Sequence, residues 1–113
     1  MMTVLHAAAD LDAALAKSHE HPVVLFKHSA TCPFSARAQE QVANAKHDAD
    51  IYCVVVQYDK PMSAAIAERT GVAHASPQAI VVDKGKAVWH GHRDDIQREV
   101  LVKLAGGAPT EVG

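Results

Sequence analysis

The sequence predicts an α/β domain in which helices cover a central mixed sheet. Two short segments, residues 23–26 and 51–58, are apolar almost without interruption, which is typical of strands that are covered on both faces. Segments with apolar residues at helical spacing alternate with these strands along the chain. A hairpin and a final helix follow, so the predicted order of elements is α-β-α-β-α-β-β-α.

A proline separates the first helix from the first strand. Leu11 and Leu15 lie four residues apart in an alanine-rich segment, which predicts a short amphipathic helix near residues 8–18. Pro22 interrupts this pattern, and the apolar run at 23–26 then has the length of a strand. The polar residues that follow this strand lead into the second helix.

Apolar residues at helical spacing define the second helix. Phe34, Ala38 and Val42 recur every four residues and predict a helix that ends near residue 47. The second strand is predicted at 51–58, after a short polar connection.

The third helix lies between start and stop signals. Pro61 and Ser63 favour the start of a helix, and Gly71 is typical of the residue that follows a helix end. Strand 79–82, a turn of sequence Asp-Lys-Gly-Lys and strand 87–90 then predict a β-hairpin.

The last predicted helix completes the order of elements. It carries Ile96, Val100 and Leu104 on one face, and Asp94 or Asp95 is expected to cap its N-terminus. A βαβ unit followed by a ββα unit is the thioredoxin-type arrangement. Element order alone does not define an activity, so the activity has to be argued from particular residues.

Composition and charge exclude several classes of protein. The chain has 113 residues, and we expect a single domain over 1–113 with a flexible tail at 106–113. Hydrophobic residues make up 49% and charged residues 21%, which disfavours disorder. A net charge of −2 and a pI near 6.4 give no general basic field, so neither nucleic acid nor a membrane is an expected partner.

The N-terminus and the cysteine content favour a cytoplasmic location. Residues 1–9 lack a basic segment followed by an apolar stretch, so no export signal is expected. The longest apolar runs have the length of strands and are too short to span a membrane. Two cysteines do not make a disulfide framework in a domain that has its own core.

Cys32 carries the strongest chemical signal in the chain. It precedes Pro33 and a helical pattern, which places it at or beside the N-cap, with proline at the first helical position. The free N–H groups and the dipole of a helix N-terminus favour a thiolate over a thiol. Lys27, His28 and Arg37 are close in sequence and could add positive potential. A buried structural cysteine is the alternative, but the neighbours of Cys32 are polar and it begins a helix.

Ser35 stands where a second cysteine would complete a Cys-x-x-Cys motif. A dithiol site releases a mixed disulfide by attack from its own second thiol, and serine cannot do this. The sequence therefore predicts monothiol chemistry at Cys32, with the mixed disulfide resolved by an outside thiol. Ser35 itself either hydrogen-bonds the thiolate or only occupies the first helical turn.

The Ser76-Pro77 pair lies between the third helix and a short strand. An X-Pro bond is cis in only about 5–6% of cases in folded proteins, so an isolated pair would be expected to be trans. Its position in this order of elements, where a cis bond would turn the chain, instead predicts a cis peptide bond.

Several motifs together resemble those of one family. The tetrapeptide Cys-Pro-Phe-Ser at 32–35 resembles a monothiol glutaredoxin active site. The wider segment at 25–35, LFKHSATCPFS, is more similar still to the YtxJ-like monothiol bacilliredoxins. Further matches are ERTGV at 68–72, SPQA at 76–79 and KAVWH at 86–90. The resemblance extends from residue 11 to residue 104, and the spacings between the motifs are those of the family.

Membership of this family would imply a thioredoxin-like fold and a thiol-exchange reaction. Cys32 would form a mixed disulfide with bacillithiol taken from a modified protein or from a small disulfide. Ser76 and cis-Pro77 would lie beside Cys32 and present backbone to the substrate. Phe26 occupies the place where thioredoxin has a buried aspartate, so the site lacks a carboxylate for the proton transfers of a dithiol cycle.

The sequence thus predicts a site and its partners. Cys32 and Ser35 are the predicted catalytic residues. The predicted substrate-binding residues are Pro33, Phe34, Lys27, His28, Ser76 and Pro77. Bacillithiol is the expected co-substrate and S-bacillithiolated proteins are the expected partners, with no tightly bound cofactor and no metal.

Other functions and other residues remain as alternatives. An iron–sulfur cluster-binding module or a redox sensor would also use Cys32, although monothiol glutaredoxins usually carry Gly in place of Pro33. Cys53, in the second strand, is expected to be a buried inert thiol rather than a resolving one. The His-x-His pairs at 19–21 and 90–92 are expected to be surface or loop-packing histidines, because the sequence locates no third metal ligand.

Overall fold

The computed structural model describes residues 2–46 and 48–105, and the predicted tail at 106–113 lies outside them. Its five strands and four α-helices alternate along most of the chain. They are β1 (Met2–Val4), α1 (Ala8–Lys17), β2 (Val23–His28), α2 (Pro33–Ala45), β3 (Ile51–Val55), α3 (Lys60–Thr70), β4 (Gln78–Asp83), β5 (Lys86–His92) and α4 (Arg98–Ala105), with a 3₁₀ turn (Arg93–Asp95) before α4.

The strands form one mixed sheet in the order β1-β3-β2-β4-β5. β3 is parallel to both β1 and β2, whereas β4 is antiparallel to β2 and to β5. This arrangement confirms the predicted α/β class and the predicted thioredoxin-type order of elements from α1 to α4.

Alternate residues of β2 belong to two separate cores, one on each face of the sheet. Val24 and Phe26 pack with residues of α2 and α4, while Val23 and Leu25 pack with residues of α1 and α3. All four side chains are at most 1% exposed. The uninterrupted apolar run therefore reflects burial on both faces, as the sequence predicted. Within the described part of the chain, no helix has both the length and the apolar character needed to cross a membrane.

β1 is a strand that the sequence did not predict. It has three residues and pairs in parallel with β3, with Met2 opposite Ile51 and Val4 opposite Cys53. The Leu5 N–H continues the contact by donating to the carbonyl of Cys53 at 2.9 Å. Three residues are too few to show the alternating pattern of a strand. This edge strand is therefore recognised from its pairing with β3 and not from its own sequence.

Several predicted boundaries are shifted by local hydrogen bonds. β3 ends at Val55 rather than at residue 58, because the Val55 carbonyl accepts from the N–H groups of Tyr58 and Asp59 in a turn. α2 ends at Ala45, shortly before the predicted end near residue 47, which is itself outside the described residues. Gly71 follows α3 with a φ of 74°, a left-handed conformation that glycine adopts without strain, and the predicted stop is confirmed.

The predicted cap of the last helix is wrong. Asp94 and Asp95 lie in the 3₁₀ turn, and α4 begins only at Arg98. The Asp95 carboxylate accepts from the His92 N–H at 3.2 Å, whereas the Arg98 N–H donates to the side chain of Gln41 in α2 at 2.9 Å. A tertiary contact thus satisfies a free donor of the first turn, which local sequence cannot show.

The register of the sheet brings two loops together at one edge. β2 runs toward this edge and leads into α2, while β4 begins there, with Lys27 opposite Gln78. The residues just after β2 and just before β4 therefore lie at the same end of the sheet. Ser76-Pro77 is in this second loop and its peptide bond is cis, as predicted.

Candidate active site at Cys32

Cys32 is the N-cap residue of α2, and Pro33 is the first residue of that helix. Cys32 has an extended backbone conformation, with φ of −96° and ψ of 127°, and its side chain is partly exposed. Both predicted positions are confirmed. Because the proline has no N–H, it fits the first turn without leaving an extra donor unpaired.

Hydrogen-bond donors at the helix N-terminus lower the pKa of Cys32. The largest contribution is the backbone N–H of Ser35, followed by that of Phe34 and by the Ser35 hydroxyl. The positive charge of Arg93 adds to the effect, and partial desolvation opposes it. A lowered pKa increases the fraction of thiolate at neutral pH, and the thiolate is the nucleophilic form.

Ser35 is buried and affects two groups at the site. Its hydroxyl helps to lower the pKa of the Cys32 thiol, and its Oγ accepts from the Ser29 N–H at 2.9 Å. The side chain is 1% exposed. Of the two roles that the sequence left open, the contacts thus favour a hydrogen bond to the thiolate. The same hydroxyl also fixes the loop that leads from β2 to Cys32.

Gln57 is a site residue that the sequence did not predict. Its Nε2 donates to Ser29 Oγ at 2.7 Å and to Thr31 Oγ1 at 3.1 Å, and its Oε1 accepts from the Ala30 N–H at 2.9 Å. One side chain therefore holds all three residues of the loop before Cys32. No local pattern marks this glutamine, because its partners lie far away in the sequence.

Two arginines flank the ring of Phe34. The guanidinium carbons of Arg37 and Arg93 lie 4.8 Å and 4.9 Å from its centroid, within the range of cation–π contacts. Arg37 also forms an ion pair with Asp94 at 3.1 Å. The sequence indicated Arg37 as a source of positive potential, but Arg93 is the arginine whose charge lowers the pKa of Cys32.

Arg93 is tied to the cis-proline loop. Its backbone N–H donates to the carbonyl of Pro77 at 3.1 Å, and its φ of 53° places it in the left-handed region. Arg93 thus connects the end of β5 to the loop that precedes β4. Nothing in the local sequence distinguishes this arginine from the other basic residues.

Lys27 and His28 occupy opposite faces of β2. Lys27 is fully buried, its Nζ lies 3.3 Å from His74 Nδ1, and burial lowers the pKa of Lys27 to about 8. His28 stacks on Phe26 with ring centroids 5.1 Å apart, and burial also lowers its pKa. Lys27 exposes no surface to solvent, so its predicted contact with substrate stays a prediction, as does that of His28.

Cys53 is buried in β3 opposite Phe26 of β2. Burial raises the pKa of this thiol, which disfavours its reactive form. Cys32 and Cys53 are both free thiols. The prediction of a buried thiol at Cys53 is confirmed.

One histidine of each His-x-His pair lies near a carboxylate. His21 Nε2 lies 3.0 Å from the Asp50 carboxylate, and His92 Nδ1 lies 3.8 Å from that of Asp95. Among residues 2–46 and 48–105, no three His, Cys, Asp or Glu side chains converge as a metal site would require.

The sheet topology and the cysteine at the start of α2 define a thioredoxin-fold protein. A solved structure described as a candidate oxidoreductase with a thioredoxin fold is 31% identical, with a TM-score of 0.82, and the match covers 91% of this chain and 92% of that one. Thioredoxin from Fasciola hepatica is 21% identical, with a TM-score of 0.71 and coverage of 91% and 99%. A mutant thioredoxin from Halobacterium salinarum is 12% identical, with a TM-score of 0.73 and coverage of 99% and 94%.

A match to one protein family is more specific than the similarity in fold. Residues 3–101 match the family described as monothiol bacilliredoxin BrxC, and the chain belongs to this family. Family and fold together support a thiol–disulfide redox role. The motif-based resemblance at 32–35 and the neighbouring segments is thereby confirmed.

Proposed function

We propose that this protein is a monothiol oxidoreductase that removes bacillithiol from S-thiolated proteins through a mixed disulfide on Cys32. The observation that carries the proposal is a partly exposed thiol at the N-cap of α2, with hydrogen-bond donors that lower its pKa and with Ser35 in place of a second cysteine. The family assignment supports the same chemistry.

The first step transfers bacillithiol to the enzyme. The Cys32 thiolate attacks the bacillithiol sulfur of a protein–bacillithiol disulfide, and a new S–S bond forms as the old one breaks. The protein cysteine leaves as a thiolate and takes a proton from water. No net oxidation occurs in this step, because one disulfide is exchanged for another.

The second step needs a thiol from outside the chain. Ser35 has no sulfur with which to attack the mixed disulfide, and Cys53 is buried with a raised pKa. Free bacillithiol, or the thiol of another redox protein, attacks the bacillithiol sulfur and releases the Cys32 thiolate. Over the two steps the thiols are oxidised to the disulfide that leaves, and the two electrons that they lose reduce the original protein–bacillithiol disulfide.

The surroundings of Cys32 suit the binding of an extended thiol substrate. We assign substrate contacts to Pro33 and Phe34 at the start of α2 and to the backbone of Ser76 and Pro77 in the facing loop. Both loops lie at the same edge of the sheet because of the β2–β4 register. The reaction requires a supply of reduced thiols, so the cytoplasm is the proposed location.

The proposal is tested by the intact mass of the purified protein after incubation with oxidised bacillithiol. One bacillithiol adduct is expected on the wild-type protein and on Cys53→Ala, and none on Cys32→Ala. Parallel incubations with oxidised glutathione and with coenzyme A disulfide measure the preference among thiols. An adduct that survives Cys32→Ala, or a wild-type protein that forms none, would contradict the proposal.

The alternative roles gain no specific support from the site. Cluster binding and redox sensing would both use Cys32, and no contact of the described residues favours either of them over thiol exchange. Cluster binding and redox sensing stay predictions that rank below thiol exchange.

A further inference from the structure

The segment between α3 and β4 contains no helix or strand, so contacts with other elements determine its position. The substrate contacts assigned to Ser76 and Pro77 lie in this segment. Near its start, the Val72 side chain belongs to one of the two cores of the sheet. At its end, the Pro77 carbonyl accepts from the Arg93 N–H. The middle of the segment, at residues 73–74, is contacted by side chains from the sheet.

Two neighbouring side chains of the sheet reach this middle part. Lys27 of β2 lies directly opposite Gln78 of β4 in an antiparallel pair, so both side chains are on the same face of the sheet. Gln78 Nε2 donates to the Ala73 carbonyl at 3.0 Å. Lys27 Nζ lies 3.3 Å from His74 Nδ1. One cross-strand pair therefore contacts two consecutive residues of the segment, shortly before Ser76.

The contact between Lys27 and His74 has a defined direction. The pKa of Lys27 is about 8, so its amine is mostly protonated at neutral pH. An ammonium has no lone pair, so Lys27 is the donor and His74 Nδ1 is the acceptor. Burial and the charge of Lys27 lower the pKa of His74, which favours the unprotonated Nδ1 that this contact requires. The ring proton of His74 then lies on Nε2, and the contact fixes both the tautomer and the orientation of the ring.

The buried ammonium of Lys27 destabilises the fold. Lys27 is fully buried, and none of the ion pairs within residues 2–46 and 48–105 joins it to a carboxylate. Leu25 and Val54, its neighbours on the same face, belong to an apolar core. An apolar side chain of similar length would fill this space without the cost of a buried charge. Packing alone thus does not explain the lysine, whereas its contact with His74 gives it a role.

We propose that Lys27 is a positioning residue for the thiol exchange at Cys32. Through His74 it holds the segment before β4 in the position from which the backbone of Ser76 and Pro77 meets the substrate. The inference rests on the proposed function and adds a residue that acts on the reaction through another side chain. The lysine supports this reaction at the expense of the stability of the domain.

The inference is tested with a peptide that carries bacillithiol on its single cysteine. The Cys32 thiolate attacks the bacillithiol sulfur, the Cys32 mixed disulfide forms and the peptide thiolate leaves. The second-order rate constant for release of the peptide is measured with the enzyme in excess. Alkylation of Cys32 by iodoacetamide reports on the thiol alone, because neither Lys27 nor His74 is among the causes that lower the pKa of Cys32. The midpoint of urea denaturation at neutral pH reports on stability.

Lys27→Met should release the peptide roughly three- to tenfold more slowly than the wild type, as the loss of one hydrogen bond to the segment would allow. Its urea midpoint should rise, because a buried charge is removed. His74→Ala should show a similar loss of rate but a lower urea midpoint, because Lys27 is left without its acceptor. Alkylation of Cys32 should be unchanged in both variants. Opposite changes in stability with the same loss of rate would distinguish positioning from a loss of folding.

A double variant and a control complete the set. Lys27→Met/His74→Ala should be no slower than either single variant, because both substitutions remove the same contact. Lys86→Met should keep the wild-type rate, since Lys86 is exposed at the end of β5 that is remote from the site.

Four results would overturn the inference. The wild-type rate in Lys27→Met would do so directly. Losses of rate that multiply in the double variant would show that Lys27 and His74 act separately. A lower urea midpoint together with slower alkylation in Lys27→Met would assign the lysine a structural role only. A wild-type protein that releases no peptide would overturn the proposed function and this inference together.

Discussion

The sulfur of Cys32 is surrounded by donors from one short stretch of backbone, and this determines its chemistry. The N–H groups of Ser35 and Phe34 and the Ser35 hydroxyl all favour the thiolate. Helix N-termini provide such donors without any charged side chain. A cysteine placed at an N-cap is therefore activated by the fold itself, and Arg93 adds a smaller effect from another element.

Replacement of Ser35 by alanine should raise the pKa of Cys32, because one donor to the thiolate is lost while the two backbone donors remain. The pH dependence of alkylation by iodoacetamide measures this, and its midpoint should move to higher pH. The variant should also lose about 1 kcal/mol of stability, since the Ser29 N–H loses its acceptor. An unchanged midpoint would show that the hydroxyl does not contact the thiolate.

Replacement of Arg93 by glutamine should raise the pKa of Cys32 by less than Ser35→Ala does, because its charge is the smallest of the causes. The shift should shrink in high salt, which screens the charge of Arg93. Arg37→Gln is the matched control, since Arg37 stacks on the same Phe34 ring without contributing to the Cys32 shift. Equal shifts for both variants would contradict this assignment.

At the scale of single elements, the strands that are apolar throughout could be predicted from the sequence. Elements whose position depends on hydrogen bonds to a distant segment could not. β2 is buried on both faces, and its apolar run is visible in the sequence. β1 is a three-residue edge strand, and the start of α4 is satisfied by Gln41 from α2. Neither has a local signal, because hydrogen bonds between distant segments define both.

The N-cap of α3 offers a test of these element assignments. Asp59 accepts from the Met62 N–H at 3.0 Å, so Asp59→Ala should cost about 1 kcal/mol of unfolding free energy. Asp94→Ala should cost less than roughly 0.5 kcal/mol, since the Asp94 side chain caps no α-helix of the described residues and its ion pair with Arg37 is exposed. Urea denaturation measures both values. A larger loss of unfolding free energy for Asp94→Ala would indicate that Asp94 caps the last helix, as the sequence predicted.

At the scale of the whole molecule, the fold brings the site together from segments that the sequence shows only in part. Cys32, Pro33, Ser35 and the cis bond at Pro77 were predicted, because helix starts and motif spacing are local. Gln57 and Arg93 were not, because they reach the site through the sheet register and through loops. The burial of Lys27 was not predictable either, because the sequence does not show that the face of β2 that carries this lysine is covered by other elements.

Lys27→Met should change how the stability of the whole domain depends on pH. The pKa of Lys27 is lowered from 10.5 to about 8, so between these values the unfolded chain binds more protons than the folded one. Wild-type stability should therefore rise relative to Lys27→Met from about pH 8 to 10.5, by on the order of 1–3 kcal/mol. Below pH 8 the variant should be the more stable, because the wild type carries a buried ammonium.

Denaturation of both proteins at a series of pH values tests this, with Lys86→Met as an exposed control that should follow the wild type. A constant difference between wild type and Lys27→Met across this range would contradict the burial of Lys27 as a charged group.

The lifetime of the Cys32 mixed disulfide tests the monothiol mechanism most directly. After the protein is loaded with bacillithiol and excess disulfide is removed, intact mass is followed with no added thiol. The wild-type adduct should persist until a thiol is supplied, whereas Ser35→Cys should release bacillithiol by internal attack and form a disulfide between Cys32 and the introduced thiol. Unaided release from the wild type, with a disulfide formed between Cys32 and Cys53, would contradict the account.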